Sequence, residues 1–342
     1  MIILVTGGSG MVGKSLNDIT INDKNDWIFL SSADGDLRNR QIVFTIFEKY
    51  KPDYVIHLAA NVGGLYKNIR ERVSMFSDNI RMNENILEAS NKYNIQKGIF
   101  CLSSCIFPHN PSKYPMNENM IHESAPHPSN EGYGYSKRMM EVQCRNYNEQ
   151  YKRQYICLIP VNIYGPYDNF DLDDSHVIAG LIHRMFLAKK NNKNFKMFGS
   201  GNPLRQFIYS YDFAKIIVKT LYEYNDTKPI ICCNDEISIH NLTYLIAKLY
   251  NYNTNNITND ITKSDGCLRK TVDGNYFKNI YPNFKYISLK DGIEKTMKWF
   301  IKNYENCRKD KNNVKLSKDN IFKYSDLSAN TTSSNFALWN EL

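Results

Sequence analysis

Ile2-Ile3-Leu4-Val5-Thr6-Gly7-Gly8-Ser9-Gly10-Met11-Val12-Gly13 decides the fold. A short continuous apolar run rich in β-branched residues reads as a parallel strand buried on both faces. Glycines follow it at three-residue steps, and from Lys14 the chain is helix-compatible. In such a strand, turn and helix, Gly7 permits the tight turn, Gly10 lets the backbone approach a pyrophosphate, and Gly13 lets the helix lie close on the strand. The phosphates then sit at the helix's positive end. Gly7, Gly8, Ser9, Gly10, Met11, Val12 and Gly13 are therefore the expected cradle of a dinucleotide.

Strands and helices alternate outward from this cradle. Trp27-Ile28-Phe29-Leu30 reads as the second strand, and the residues after it should face the adenosine ribose. An acid there favours a free 2′-hydroxyl and a base a 2′-phosphate. Ser31-Ser32-Ala33 meets neither rule; Asp36 is expected near the adenine, and Arg38 is the nearest base. Tyr54 to Ala60 is a third strand whose small final residues let the dinucleotide pass Leu58, Ala59 and Ala60, with His57 read as a strand residue satisfied by local hydrogen bonds. Lys97 to Cys105 and Tyr155 to Val161 read as further strands, the latter closed by the turn Asn162-Ile163-Tyr164-Gly165-Pro166. The class is α/β: a Rossmann-type doubly wound parallel sheet with ligands at the strand carboxyl ends, followed by a smaller α/β substrate-binding lobe. Residues 1–165 should form the dinucleotide-binding domain, with a later segment returning to it, and 166–309 the second lobe. The Ser, Asn and Thr-rich stretch 310–342 reads as a disordered tail.

Composition narrows the class. Hydrophobic residues at 42% and charged residues at 23% suit a globular enzyme. The net charge of +8 is scattered, which speaks against nucleic acid as a partner and is satisfied by an anionic small molecule. No window approaches a membrane span, and the amino terminus lacks the pattern of a signal peptide, so a cytoplasmic protein with no membrane partner is expected. Eight cysteines without C-x-x-C spacing suit a reducing compartment, and the seven dispersed histidines predict no metal site.

The chemistry centres on Tyr133-Gly134-Tyr135-Ser136-Lys137. A tyrosine one helical turn before a lysine places a phenol and an ammonium on one face, and the cation should move the phenol towards a useful range for protonating a carbonyl oxygen. Ser103, at the end of the fourth strand, can hydrogen-bond the same carbonyl. Cys105 beside it is either an inert core thiol or, next to a cation, a base. Lys196 to Ile208 combines Phe198, a glycine-rich turn and Arg205, which suits stacking a base and gripping a phosphate; the other reading is an ordinary hairpin with an exposed arginine.

The glycine triad, His57-Leu58-Ala59-Ala60, Ser103 and the Tyr133/Lys137 pair together resemble the extended short-chain dehydrogenase/reductases. More narrowly, Ser103-Ser104-Cys105-Ile106-Phe107-Pro108, the run Asn162 to Phe170, Ser175-His176-Val177-Ile178 and Thr262-Lys263-Ser264-Asp265-Gly266 resemble the GDP-L-fucose synthase family, across residues 1 to about 309. That resemblance implies epimerisation of GDP-4-keto-6-deoxy-D-mannose at C3 and C5, then reduction of the C4 ketone. It implies Tyr133 as proton donor, Lys137 on the nicotinamide ribose, Ser103 orienting the sugar, and Cys105 and His176 as the epimerising base and acid. Pro160, Asn162, Ile163 and His176 would complete the cofactor lining; Asn162, Arg184, Phe198, Arg205 and Asp265 would contact the GDP-sugar, with Phe198 where the family commonly has tryptophan.

The family uses NADPH, so NADP(H) is expected, with Ser31, Ser32 and Arg38 as phosphate ligands; the absence of a base directly after the second strand leaves NAD(H) open. The resemblance also implies a homodimer packed through the helix of Tyr133 and Lys137. Two other functions compete: a redox-neutral nucleotide-sugar 4-epimerase or 4,6-dehydratase, and a silent dinucleotide-binding sensor. The dehydratase reading lacks its acidic pair beside Cys105, and a sensor does not need Ser103, Tyr133 and Lys137 together.

Overall fold

The computed structural model describes residues 1–309, so the tail 310–342 lies outside the described residues. Strand β1 (Ile2–Thr6), helix α1 (Met11–Thr20), β2 (Asp26–Phe29), α2 (Arg40–Tyr50), β3 (Tyr54–His57), α3 (Leu65–Arg70), α4 (Arg72–Lys92), β4 (Lys97–Cys101), α5 (Glu131–Tyr151) and β5 (Gln154–Pro160) alternate along the first half. Then come β6 (Asn162–Tyr164), α6 (Val177–Lys190), β7 (Phe195–Phe198), β8 (Leu204–Tyr209), α7 (Ser210–Glu223), β9 (Ile230–Cys232), β10 (Glu236–Ser238), α8 (Ile239–Leu249), β11 (Ile257–Asp260), α9 (Asn275–Ile280) and α10 (Leu289–Lys302).

The main sheet has the order β2-β1-β3-β4-β5-β9 with every pair parallel. Its central strands carry continuous apolar runs because helices cover both faces; Ile3, Leu4 and Val5 have no exposed surface. Strand order reverses at β1, which has β2 on one side and β3 on the other. A crevice therefore opens between the carboxyl ends of β1 and β3, where a doubly wound sheet binds its ligand.

The chain crosses between two hydrophobic cores. One surrounds the main sheet and includes the later residues Phe213, Ile217 and Ile231; the other gathers α6, α8 and α10 with β7 and β8. Helix α7 packs on α1, with the Ser15 hydroxyl donating to that of Ser210 at 2.9 Å, and it delivers β9 to the edge of the main sheet. The segment 195–208 is no hairpin: β7 pairs with β11, whereas β8 pairs with β6 and β10. The intervening turn, with Gly199 and Gly201 both at positive φ, passes the chain from one small sheet to another.

Candidate active site

One cleft of about 970 Å³ runs along the carboxyl ends of the main sheet and under the second lobe. Its size is at the upper end for a single ligand and suits two nucleotides meeting at their reactive ends. Every site residue expected from the sequence lines it except Gly8. Gly8 is buried, its N–H donates to the Leu30 carbonyl at 2.7 Å, and a side chain there would stand 2.6 Å from Phe29 Cβ. It seats β1 against β2 and does not line the cleft.

The cradle itself fits a dinucleotide. Gly7 has φ +70°, and a Cβ there would lie 2.8 Å from the Ala59 nitrogen, so β1 and β3 can close only around a glycine. A Cβ on Gly13 would lie 2.5 Å from Gly8 Cα, which sets α1 directly on the turn. Helix α1 begins at Gly10 with no side-chain cap, leaving its first N–H groups for an anion. At the adenosine end, Arg38 is bound by Asp36, with nitrogen to oxygen distances of 2.8 to 3.1 Å, and by Asp78 at 3.2 Å. Below the cradle His57 is fully buried between Thr6 Oγ1 at 2.7 Å and Asn83 Oδ1 at 3.1 Å. Burial, reinforced by the charge of Lys137, pushes its pKa down to about 3, so it is a neutral structural residue, as its place in the strand suggested.

The proton-transfer groups meet where β4 gives way to the turn Ser104–Ile106. Ser103 caps that turn, its Oγ accepting from the Cys105 N–H at 3.2 Å. Helix α5 approaches because residue 134 is glycine: a Cβ there would lie 2.8 Å from the Cys105 carbonyl. Buried Arg138 fastens the two, donating from Nε to the Ile106 carbonyl at 3.0 Å and from Nη1 to that of Ser124 at 2.9 Å. Lys137 is 1% exposed, donates to the Cys101 carbonyl at 2.7 Å and stands 5.9 Å from the Tyr133 ring. The expected lowering of the Tyr133 pKa does not occur in this state. Burial dominates and holds the phenol well above its ordinary range, with Cys101 and Cys105 adding to the rise and Ser103 opposing it. Burial also lowers the pKa of Lys137. A phenol kept protonated is equipped to donate a proton to a carbonyl oxygen.

The facing wall comes from the second lobe. His176 stands at the start of α6, and Arg184 lies two turns along the same helix. The Arg184 guanidinium stacks 4.0 Å from the Phe198 ring centroid, and burial draws its pKa down to about 10. Arg205 is also lowered by burial and donates to its neighbour's carbonyl at 2.8 Å, so it is not the exposed arginine of a hairpin. Asn162 donates to the Gln206 carbonyl at 2.8 Å, leaving its amide oxygen for the cleft. Asp265 accepts from the Ser200 N–H and the Ser200 hydroxyl, both at 2.7 Å. It latches the Gly199-Ser200-Gly201 turn beneath Phe198 and Arg184.

Reading from the sequence missed Lys270 and misjudged one cluster. The segment 266–273 is stitched between the lobes: Leu204 N donates to the Leu268 carbonyl at 2.9 Å, Met116 N to that of Thr271 at 2.9 Å, and buried Gln206 bonds both backbone groups of Val272. Lys270 thereby reaches the thiol, its Nζ lying 3.9 Å from Cys105 Sγ. This ammonium comes from a stretch that reads in sequence as an ordinary polar loop. The histidines are not all dispersed either. His109 and His127 meet with ring centroids 4.3 Å apart, and with Cys267 they bring three ligand atoms within 4.8 Å. His127 Nδ1, however, accepts from the Ser129 N–H at 3.1 Å, which leaves the proton of the neutral ring on Nε2.

Known proteins are similar to this chain in sequence and fold. The NAD dependent epimerase/dehydratase family matches residues 3–232. The GDP-L-fucose synthase of Dictyostelium discoideum is 46% identical over 313 residues, covering 90% of this chain and 97% of that one. The probable GDP-L-fucose synthase of Drosophila melanogaster is 39% identical, covering 90% and 99%. The crystal structure of a GDP-L-fucose synthetase from Naegleria fowleri bound to NADP superposes with a TM-score of 0.84 at 41% identity, covering 90% of this chain and 94% of that one.

Proposed function

We propose, from the premise that the chain belongs to the NAD dependent epimerase/dehydratase family and within it to the GDP-L-fucose synthases, that Ser103, Cys105, Tyr133, Lys137 and His176 are its catalytic set. The chain is an NADP(H)-dependent epimerase and reductase of GDP-fucose biosynthesis, converting GDP-4-keto-6-deoxy-D-mannose to GDP-L-fucose. The observation that carries the assignment of residues is their convergence: a turn-capping serine, a thiol beside an ammonium and a protonated phenol face an imidazole across one cleft.

The roles follow from the substrate. A ketone at C4 acidifies the C–H bonds at C3 and C5, so inverting either centre needs a base on one face and an acid on the other. Cys105 takes the proton, and Lys270 faces the anionic sulfur this requires. His176, from the opposite wall, returns a proton. Tyr133 then protonates the C4 oxygen while Ser103 orients it. NADP(H), when bound, would supply the hydride to C4, and the groups that would hold it are the Gly7 to Gly13 turn, Leu58 to Ala60, Lys137, Pro160 and Ile163, with Ser31, Ser32 and Arg38 towards the adenosine end. Arg184 and Arg205 offer cations to the GDP pyrophosphate, Phe198 a face to the base, and Asn162 an amide oxygen to the sugar. Asp265 supports that wall through Ser200.

The decisive experiment supplies purified protein with GDP-4-keto-6-deoxy-D-mannose and NADPH and follows cofactor absorbance while the product sugar is identified. Equimolar NADPH oxidation with GDP-L-fucose is expected. Turnover without net oxidation would establish a redox-neutral epimerase, and tight NADPH binding without turnover a sensor. NADH in place of NADPH reads the dinucleotide preference. A homodimer and a cytoplasmic location complete the proposal. Helices α4 and α5 carry exposed apolar side chains, Val73, Phe76, Met139 and Tyr151; all eight cysteines are free, and no helix among the described residues is long and apolar enough to cross a membrane.

A further inference from the structure

We propose that Asp168 is a positioning residue for His176, holding the imidazole through Nδ1 so that Nε2 carries its proton into the sugar pocket. The proposal rests on the epimerase reading above. Asp168 Oδ1 lies 3.8 Å from His176 Nδ1, longer than a direct hydrogen bond but within ion-pair reach. The carboxylate side chain is 5% exposed against 39% for the histidine, so the dyad has a buried end and an end open to the cleft. Both Asp168 Oδ2 and His176 Nδ1 are buried without a hydrogen-bond partner. Orphaned buried polar atoms are rare. Asp168 Oδ1 accepts from the Asn169 N–H at 2.7 Å, which fixes the carboxylate next to the imidazole and leaves Oδ2 without a partner.

The backbone leading to Asp168 is shaped for this position. Gly165 has φ +159°, and a side chain there would strike the Ser210 hydroxyl. Tyr167 takes φ +66°, a left-handed conformation unusual for a bulky residue. It is held there by Trp299, 4.9 Å away between ring centroids, and by its own hydroxyl donating to Asp18 at 3.1 Å. Strain kept in place by its surroundings is a mark of functional positioning. Two other acids of the loop are engaged elsewhere: Asp174 pairs with Arg70 at 3.1 Å, and Asp171 accepts from the N–H groups of Asp173 and Asp174.

Electrostatics explains the need. His176 sits at the amino end of the 14-residue α6 without using its side chain as a cap, and the helix dipole there favours a negative neighbour such as a carboxylate. A carboxylate behind Nδ1 offsets that field and fixes which nitrogen faces the substrate, the service a buried aspartate gives the histidine of a hydrolase triad.

The test follows solvent deuterium entering the sugar carbons of GDP-4-keto-6-deoxy-D-mannose in D₂O without reductant, beside NADPH titration and thermal melting. Wild type should exchange, and Asp168→Asn should exchange about 10- to 100-fold more slowly with NADPH affinity and melting temperature kept. Asp168→Glu, which keeps the charge, should recover part of the loss and covers the case in which the amide disturbs the fold. Exchange in Asp168→Asn within twofold of wild type overturns the proposal. So does an equal loss of exchange and NADPH affinity in both variants, the signature of a purely structural role. Absence of exchange in wild type itself would instead remove the epimerase reading, and the dyad with it.

Discussion

The two walls of the cleft are built by different means. The wall under the glycine turn is backbone, closed by contacts that admit no side chain at Gly7 or Gly13 and sealed by the buried Thr6, His57 and Asn83 chain. The wall from the second lobe is side chain, with Arg184 on Phe198, Asp265 on Ser200, and Lys270 brought to Cys105 by a loop sewn to both lobes. A backbone wall recognises what all dinucleotides share, and its failure modes are steric. A side-chain wall recognises one sugar nucleotide, and its failure modes are polar and graded.

That difference can be broken from either side. The largest effect belongs to the residue between the walls: Tyr133→Phe removes the proposed proton donor and should lower kcat by about 10²- to 10⁴-fold, with NADPH affinity unchanged by fluorescence titration. Retained turnover would move the acid elsewhere.

Acid should attack the backbone wall next. His57 is neutral when folded, with a pKa pushed down to about 3 from 6.5. Below pH 6.5 the unfolded chain binds a proton that the folded chain refuses. The stability His57 protects is therefore complete above pH 6.5 and lost as pH falls towards 3, by on the order of 4 kcal/mol at the lower limit. Melting temperatures of wild type should decline through that window, and those of His57→Asn should decline less steeply.

Gly13→Val puts a branched side chain against the Gly8 backbone, where nothing flexible can yield. It should cost about 1 to 3 kcal/mol of stability by denaturant unfolding and weaken NADPH binding. On the other wall, Arg184→Met should raise the KM for the GDP-sugar about tenfold, as loss of one charged hydrogen bond does, with kcat and NADPH affinity kept. Equal losses on both ligands would mean that the walls are not independent.

The dinucleotide wall was legible in sequence because its determinants are local. A β-branched run, glycines at fixed steps and small residues ending the third strand act within a few residues of one another, so spacing alone foretold strand, turn, helix and switch point. Even there, Gly8 was misassigned, since its contact with Phe29 crosses to another strand. Tyr133 and Lys137, one turn apart on α5, were equally legible as a pair. The state of that pair was not: burial is a property of the assembled core, and it outweighed the cation that sequence proximity suggested.

What tertiary structure alone decided lies in contacts between distant segments. Lys270 is 165 residues from Cys105, Asp265 is 65 from Ser200, and the segment 196–208, for which a hairpin was the other reading, is divided between two sheets. Local sequence specifies backbone conformation because neighbouring side chains and turn residues bias φ and ψ directly. The electrostatic setting of a thiol, a phenol or an imidazole is the sum over groups that share no local pattern, and it comes into being only in the assembled tertiary structure.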